Sequence, residues 1–193
     1  MNYQSASYKD VAQLIANKTP VAIFQGQSEA GPRALGNRSI LYDPRDPDGK
    51  DRINTIKKRE WYRPFAASVL QEYADEWFEL LGQKEYPYMM YVVDVREHKR
   101  EIIPCVTHVD GTCRIQTVTE KQNPHFYRLI KEFYKITKVP MLFNTSLNLA
   151  GEVMPDKQSL AENITERGMI DRLYLPEKQQ VYIPSWHLDK RKQ

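Results

Sequence analysis

At 193 residues, 41% of them hydrophobic and 27% charged, the chain has the make-up of an ordinary globular protein and can bury most of its apolar surface, which excludes a disordered or fibrous class. A net charge of +3 permits anionic partners without demanding them, because no basic block covers a face before the last few residues. Cys105 and Cys113 lack the paired spacing of zinc ligands and read as free thiols of a reducing cytosol. No signal-peptide-like start and no run of about 18 apolar residues is present, so a cytoplasmic protein without a membrane span is expected.

In chain order, Val11, Leu14 and Ile15 at helical spacing predict a short helix over Tyr8 to Asn17 with Ser7 as its N-cap. Val21 to Phe24 reads as a buried strand and Ser39 to Tyr42 as a second, stopped by the two prolines of 43–47. Asp48 to Arg59 is expected to be helical, with Lys57, Lys58 and Arg59 in its last turn, where the helix dipole favours cations. Ala66 to Leu70 predicts a strand, Gln71 to Leu81 an amphipathic helix closed by Gly82, and Tyr88 to Val95 an interior strand. Ile102 to His108 and Thr112 to Thr119 read as two strands of a hairpin turning at Asp110-Gly111.

Asn123-Pro124 opens a helix over His125 to Lys138. Val139 to Phe143 reads as a buried strand, Ser159 to Arg167 as a helix stopped at Gly168, and Asp171 to Leu175 with Gln180 to Ile183 as closing strands. The tail Lys190 to Gln193 reads as a solvated end. Helices alternating with strands, some of them consecutive, point to one α/β or α+β domain around a mixed sheet.

Between the first two strands lies Gly31-Pro-Arg-Ala-Leu-Gly-Asn-Arg-Ser39. Such a loop offers main-chain amides and two guanidinium groups to one place, an anion cradle, or else forms an ordinary turn with its arginines in solvent. Asn144, Ser146 and Asn148 follow a buried strand, where an open α/β sheet presents ligand-binding loops; equally, they suit a turn capping the strand end. His108 beside its turn either meets a phosphate or serves structure. No residue cluster suggests a protein-ligated metal, and there is no P-loop, so nucleotide binding would rest on dispersed cations.

Four blocks in order carry a resemblance: Gly31 to Ser39; Ile53 through Lys57-Lys-Arg-Glu60 to Arg63-Pro-Phe-Ala66; Thr107-His-Val-Asp-Gly-Thr112 with Arg114-Ile-Gln-Thr-Val118; and Phe143-Asn-Thr-Ser-Leu-Asn148 with Gly151-Glu152. Together they resemble the C-terminal, YrdC/Sua5-like domain of the NodU/CmcH-type O-carbamoyltransferases, most strongly over residues 20–175. Tyr62, where many members carry proline or a small residue, and Leu147, where many carry an aromatic, depart from the pattern.

The resemblance implies one YrdC-like domain over residues 1–193, a twisted mixed sheet flanked by helices with a basic concave face. It implies a domain that makes carbamoyl-adenylate from ATP, with its Mg²⁺, and carbamoyl phosphate. A Kae1-like, actin-related half, a partner subunit or a further part of a longer polypeptide, would then pass the carbamoyl group to a hydroxyl acceptor. Adenylation gathers much negative charge in one pocket, which preplaced cations offset. The expected catalytic set is Lys57, Arg63 and Arg114, and the expected ligand-binding set is Arg33, Asn144, Ser146, Asn148 and His108. Lys57 and Arg63 converge only if the chain bends at Trp61-Tyr62. The alternative is a non-catalytic module of the same fold that holds a nucleotide or RNA on its basic face.

Overall fold

A computed structural model describes residues 2–189, and the tail Lys190 to Gln193 lies outside them. In chain order its elements are β1 (Tyr3–Ser5), α1 (Tyr8–Ala16), β2 (Val21–Phe24), β3 (Arg38–Tyr42), α2 (Gly49–Ile56), β4 (Ala66–Leu70), α3 (Ala74–Trp77), β5 (Phe78–Glu79), β6 (Val92–Val95) and β7 (Thr112–Val118). There follow α4 (Pro124–Thr137), β8 (Met141–Ser146), α5 (Gln158–Arg167), β9 (Arg172–Leu175), β10 (Gln180–Tyr182) and α6 (Ser185–Asp189). The strands form a ten-stranded mixed sheet in the order β1-β10-β9-β2-β3-β8-β4-β7-β6-β5. Parallel pairing joins β2 to β9 and β4 to β7; the other pairs are antiparallel. This is the mixed α/β architecture that the alternation of elements predicts.

Local signals set the two helices that pack on each other. Ser7 caps α1 in a full capping box with Asp10, and Asn123 caps α4 by accepting from the Phe126 amide, with Pro124 in the first turn. Val11, Ala12 and Ile15 of α1 and Phe126, Leu129, Ile130 and Phe133 of α4 are buried. Tyr8 Oη and His125 Nδ1 share a hydrogen bond of 2.5 Å between the two helices. Helix α4 also packs on β8 and β4, and α5 on β9 and β2.

Central strands β3, β8, β4 and β7 position the site. Their register aligns Ser39 with Ser146, and Asn144 with Ala66 and Arg114, while Ser68 pairs with Gln116. Side chains alternate along a strand, so Ser39, Asn144, Ser146, Ala66, Ser68, Arg114 and Gln116 share one face. That face is polar at the centre of the sheet. The other carries Tyr42, Phe143 and Ala67, all buried.

Several sequence expectations are corrected. The residues 102–108 are not a strand: a 3₁₀ turn spans Glu97–Ile102, Pro104 supplies no amide for pairing, and the chain enters the sheet only after Asp110-Gly111. Gln71 to Leu81 is not one helix but a 3₁₀ turn (Gln71–Tyr73), α3 and β5, because Phe78 pairs with Val95 and draws the chain straight; Leu81 is exposed. Strand β6 is shorter than the 88–95 stretch; it is interior in the sheet, paired on both sides, though not buried on both faces. It lies one place from the sheet edge with Val92 and Asp94 exposed, and Tyr88 and Met90 also face solvent. The polar start holds a strand, β1, paired to β10. Helix α2 stops at Ile56, so the Lys57-Lys58-Arg59 cluster is not its last turn.

Candidate functional site

The end of α2 places the central cations. The Lys58 amide donates to Thr55 O at 3.0 Å and the Arg59 amide to Asn54 O at 3.2 Å, the paired bonds of a Schellman ending. Lys58 takes the left-handed conformation (φ 51°) that glycine usually supplies there. The chain reverses around Lys58, and Lys57, Lys58 and Arg59 all line the same cleft, Lys58 from its exposed rim. Asn54, itself buried, accepts from Arg59 Nε at 2.7 Å and donates to the carbonyls of Trp61 and Arg63 at 2.9 and 3.3 Å. The Arg63 amide closes a turn onto Glu60 O. This is the bend at Trp61-Tyr62 that lets Lys57 and Arg63 meet.

Lys57 is buried, and its Nζ sits among four oxygens: Ser146 O at 2.6 Å, Ser146 Oγ at 3.1 Å, Asn148 O at 3.0 Å and Asn148 Oδ1 at 2.9 Å. All four are uncharged acceptors. Burial, and then the Arg59 guanidinium, push the Lys57 amine down to about 7. Lys57, Arg59, Glu60, Arg63, Ser146 and Asn148 line a cleft of about 400 Å³.

The cations around this cleft repel one another and are poorly neutralised. Arg59 is pushed down to about 10 by burial, then by Arg63 and Arg114; it stacks over Phe65 with its guanidinium carbon 4.3 Å from the ring centre, and its Nη2 is buried without a partner. Arg114 is lowered by burial and by Arg33, and its Nε is likewise buried without a partner. Among the described residues, only Arg63 of these five cations has a carboxylate in contact, Glu60 at 2.8 Å. Positive charge held in a recess with few neutralising partners suits an anionic ligand.

Lys57, Arg63, Ser146 and Asn148 thus come together in one cleft, which Arg114 and Arg33 do not line; Arg114 acts on Arg59, and Arg33 on Arg114, through their charges. Asn144 lies behind. Fully buried, it donates to Ser68 Oγ at 2.9 Å and to Ala34 O at 3.2 Å, while Gln116 donates to Leu35 O at 3.0 Å. Asn144 and Gln116 therefore hold the Arg33 loop on the sheet, although Asn144 Oδ1 has no partner. His108 is outside this cleft. Its Nε2 meets Phe65 O and its Nδ1 meets Thr112 Oγ1, both at 3.0 Å, and it lines a separate cavity of about 410 Å³ with Lys50, Tyr62 and Phe65.

Two sequence expectations about the cations change. Arg38 is not delivered to a ligand: its guanidinium is buried over Phe24 and spent on the carbonyls of Gln25, Gly26, Asn37 and Pro155, so only Arg33 of the loop pair remains free for one. Arg59, assigned to the helix dipole from sequence, belongs to the cleft. The available signal was Asn54, a weak helix former that marks the approaching helix end.

Among the described residues, no helix is long and apolar enough to cross a membrane. Residues 12–180 match the family model described as carbamoyltransferase C-terminus. The chain is 53% identical over 156 residues to nodulation protein NolNO of Sinorhizobium fredii, covering 80% of this chain and 23% of that protein. It is 52% identical over 156 residues to nodulation protein NolO of Bradyrhizobium diazoefficiens, covering 80% and 28%. It therefore spans about a quarter of the length of these relatives. Its fold is that of HypF, solved full-length in a phosphate- and nucleotide-bound form (TM-score 0.62, 17% identity, 83% of this chain and 23% of that one). It is also that of Pyrococcus abyssi Sua5 solved with L-threonine (TM-score 0.60, 14% identity, 87% and 46%). A YrdC-like sheet, a match over most of its length and relatives at half identity together make this chain a member of the carbamoyltransferase C-terminal domain family.

Proposed function

We propose that this domain forms carbamoyl-adenylate from ATP and carbamoyl phosphate and hands it to a Kae1-like carbamoyltransferase half for transfer to a hydroxyl acceptor. One observation carries the proposal: Lys57, Lys58, Arg59 and Arg63 line one recess with Ser146 and Asn148, and among the described residues a single carboxylate, Glu60, is in contact with those cations. The nucleotide-bound form of HypF, which shares the fold, supports the same ligand class.

The chemistry needs these residues more as charge than as covalent partners. Water opens carbamoyl phosphate to carbamate and phosphate; a carbamate oxygen then bonds to the α-phosphorus of ATP as the α–β bridging bond breaks and pyrophosphate leaves. Negative charge grows on the departing oxygens, where fixed cations are worth most. Lys57, caged by Ser146 and Asn148, is held to a single position. Arg59, braced by Asn54 and Phe65, lines the cleft and keeps one buried donor, Nη2, without a partner. The cationic set fits a triphosphate, and magnesium arrives with ATP on the phosphate oxygens.

Pyrophosphate release tests the proposal. Purified protein with ATP and magnesium is expected to release it only when carbamoyl phosphate is present, with Arg63→Ala abolishing the release and Lys57→Met lowering it steeply. Nucleotide or RNA binding without release, even in the presence of the remainder of a full-length relative, would instead identify a binding module.

A further inference from the structure

The loop joining β2 to β3 carries the main-chain amides that the sequence offers to an anion, and they are already engaged. The amides of Leu35, Asn37 and Arg38 donate to one oxygen, Glu29 Oε1, at 2.7, 2.8 and 3.3 Å. Backbone N–H groups gathered on one point make an oxyanion-binding concavity, and here the oxyanion is a side chain of the same loop.

That occupant is only half satisfied. Glu29 Oε2 is buried with no hydrogen-bond partner, though a carboxylate has acceptor capacity on both oxygens. The Arg38 guanidinium acts on Glu29 electrostatically but already donates to four carbonyls. Residues 26–28 and 30–33, on both sides of Glu29, are exposed, so release of the side chain would place both of its oxygens in water without opening the core. Meanwhile the nest itself is fixed, by Gln116 on Leu35 O and by the Gly36 amide on Ser39 Oγ at 3.0 Å. The geometry combines a rigid receptor with a poorly served guest.

We infer that the amides of Leu35, Asn37 and Arg38 form a phosphoryl-binding nest, which Glu29 fills in the ligand-free protein and vacates for a substrate phosphate. A phosphate oxygen replaces the three N–H···O bonds one for one and stands in the loop that carries Arg33. This deepens the proposed adenylating function, on which it rests, by assigning one phosphoryl group to backbone amides and making its entry compete with an internal carboxylate. Affinity for the anion then reflects the difference between two occupants.

The test is a ¹⁵N-resolved NMR titration of the wild-type chain and Glu29→Gln with pyrophosphate. Glutamine keeps an acceptor oxygen for the nest but loses the charge that strengthens its hold. At saturation the wild-type amide resonances of Leu35, Asn37 and Arg38 shift together with those of Ser146 and Asn148, and Glu29→Gln binds roughly tenfold more tightly. Glu29→Asp, one methylene shorter, changes affinity in the same direction and serves if the glutamine variant misfolds. Nest resonances that stay fixed while Ser146 and Asn148 shift, with equal or weaker binding by the variants, make Glu29 a permanent loop staple and overturn the inference while leaving the site intact. Pyrophosphate that shifts neither set overturns the site assignment as well.

Discussion

Lys57 Nζ donates both to the side-chain oxygen of Asn148, at 2.9 Å, and to its carbonyl, at 3.0 Å, so one residue grips the ammonium group from two directions. Ser146 does the same from the other side. Lysine, with three donors on a compact head, suits this cage, and the broad guanidinium fork does not. Lys57→Met is expected to lower pyrophosphate release by ~10²–10³-fold, and Lys57→Arg to recover little of it, in a steady-state assay. Recovery by arginine would show that charge alone matters and that the cage is incidental.

Burial and Arg59 hold the Lys57 amine down at about 7, against its ordinary 10.5. Above pH 7 the site without ligand loses this charge, which an incoming triphosphate is expected to restore. On the proposed function, binding of ATP at pH 8 is expected to be accompanied by uptake of about one proton, seen in calorimetry as a heat that depends on the buffer and absent in Lys57→Met. The stability effect has a definite sign. Below about 7 the amine is protonated in folded and unfolded chains alike; from there to 10.5 the unfolded chain holds the extra proton, so Lys57's contribution to stability rises with pH across that window.

Arg114 is lowered by burial and by Arg33, and its Nε finds no partner. Such a group is kept at the expense of the fold. Arg114→Met, which preserves the stem, is expected to stabilise the ligand-free protein by about 0.5–2 kcal/mol while abolishing turnover. Thermal melting checks the first effect and pyrophosphate release the second; a variant both less stable and inactive would make Arg114 structural.

Gly36 has φ 105°, and a Cβ there would lie 2.2 Å from Phe126 Cδ1 in α4. Neither backbone nor core has room for it. Gly36→Ala is expected to cost about 2–4 kcal/mol in chemical denaturation, because the ring must move and the left-handed conformation is strained.

What the sequence disclosed followed local chemistry. Ser7, Asn123 and Pro124 fix helix starts by capping, which needs only neighbouring residues, and β4 was legible to the residue because Ala66 to Leu70 is buried on both faces. Pairing at a distance was not legible. Phe78 is extended by Val95 in another segment, and 102–108 has strand-like composition without a strand to receive it. The cationic cleft was partly visible as Lys57 and Arg63, whose types suit an anion, whereas Arg114 lies outside its lining. Arg59 was hidden because a lysine, not a glycine, makes the turn at the helix end, and Arg38 misled because an arginine spent on carbonyls has the same letter as one awaiting a ligand.

The most direct measurement is pyrophosphate release from ATP and magnesium, with and without carbamoyl phosphate, by the wild-type chain and by Arg63→Ala, with the remainder of a full-length relative added in a parallel set. Release that requires carbamoyl phosphate and disappears in Arg63→Ala is the predicted result. ATP bound without release in either set, together with salt-sensitive binding of RNA, would contradict an adenylating role and leave the cationic recess as a binding surface.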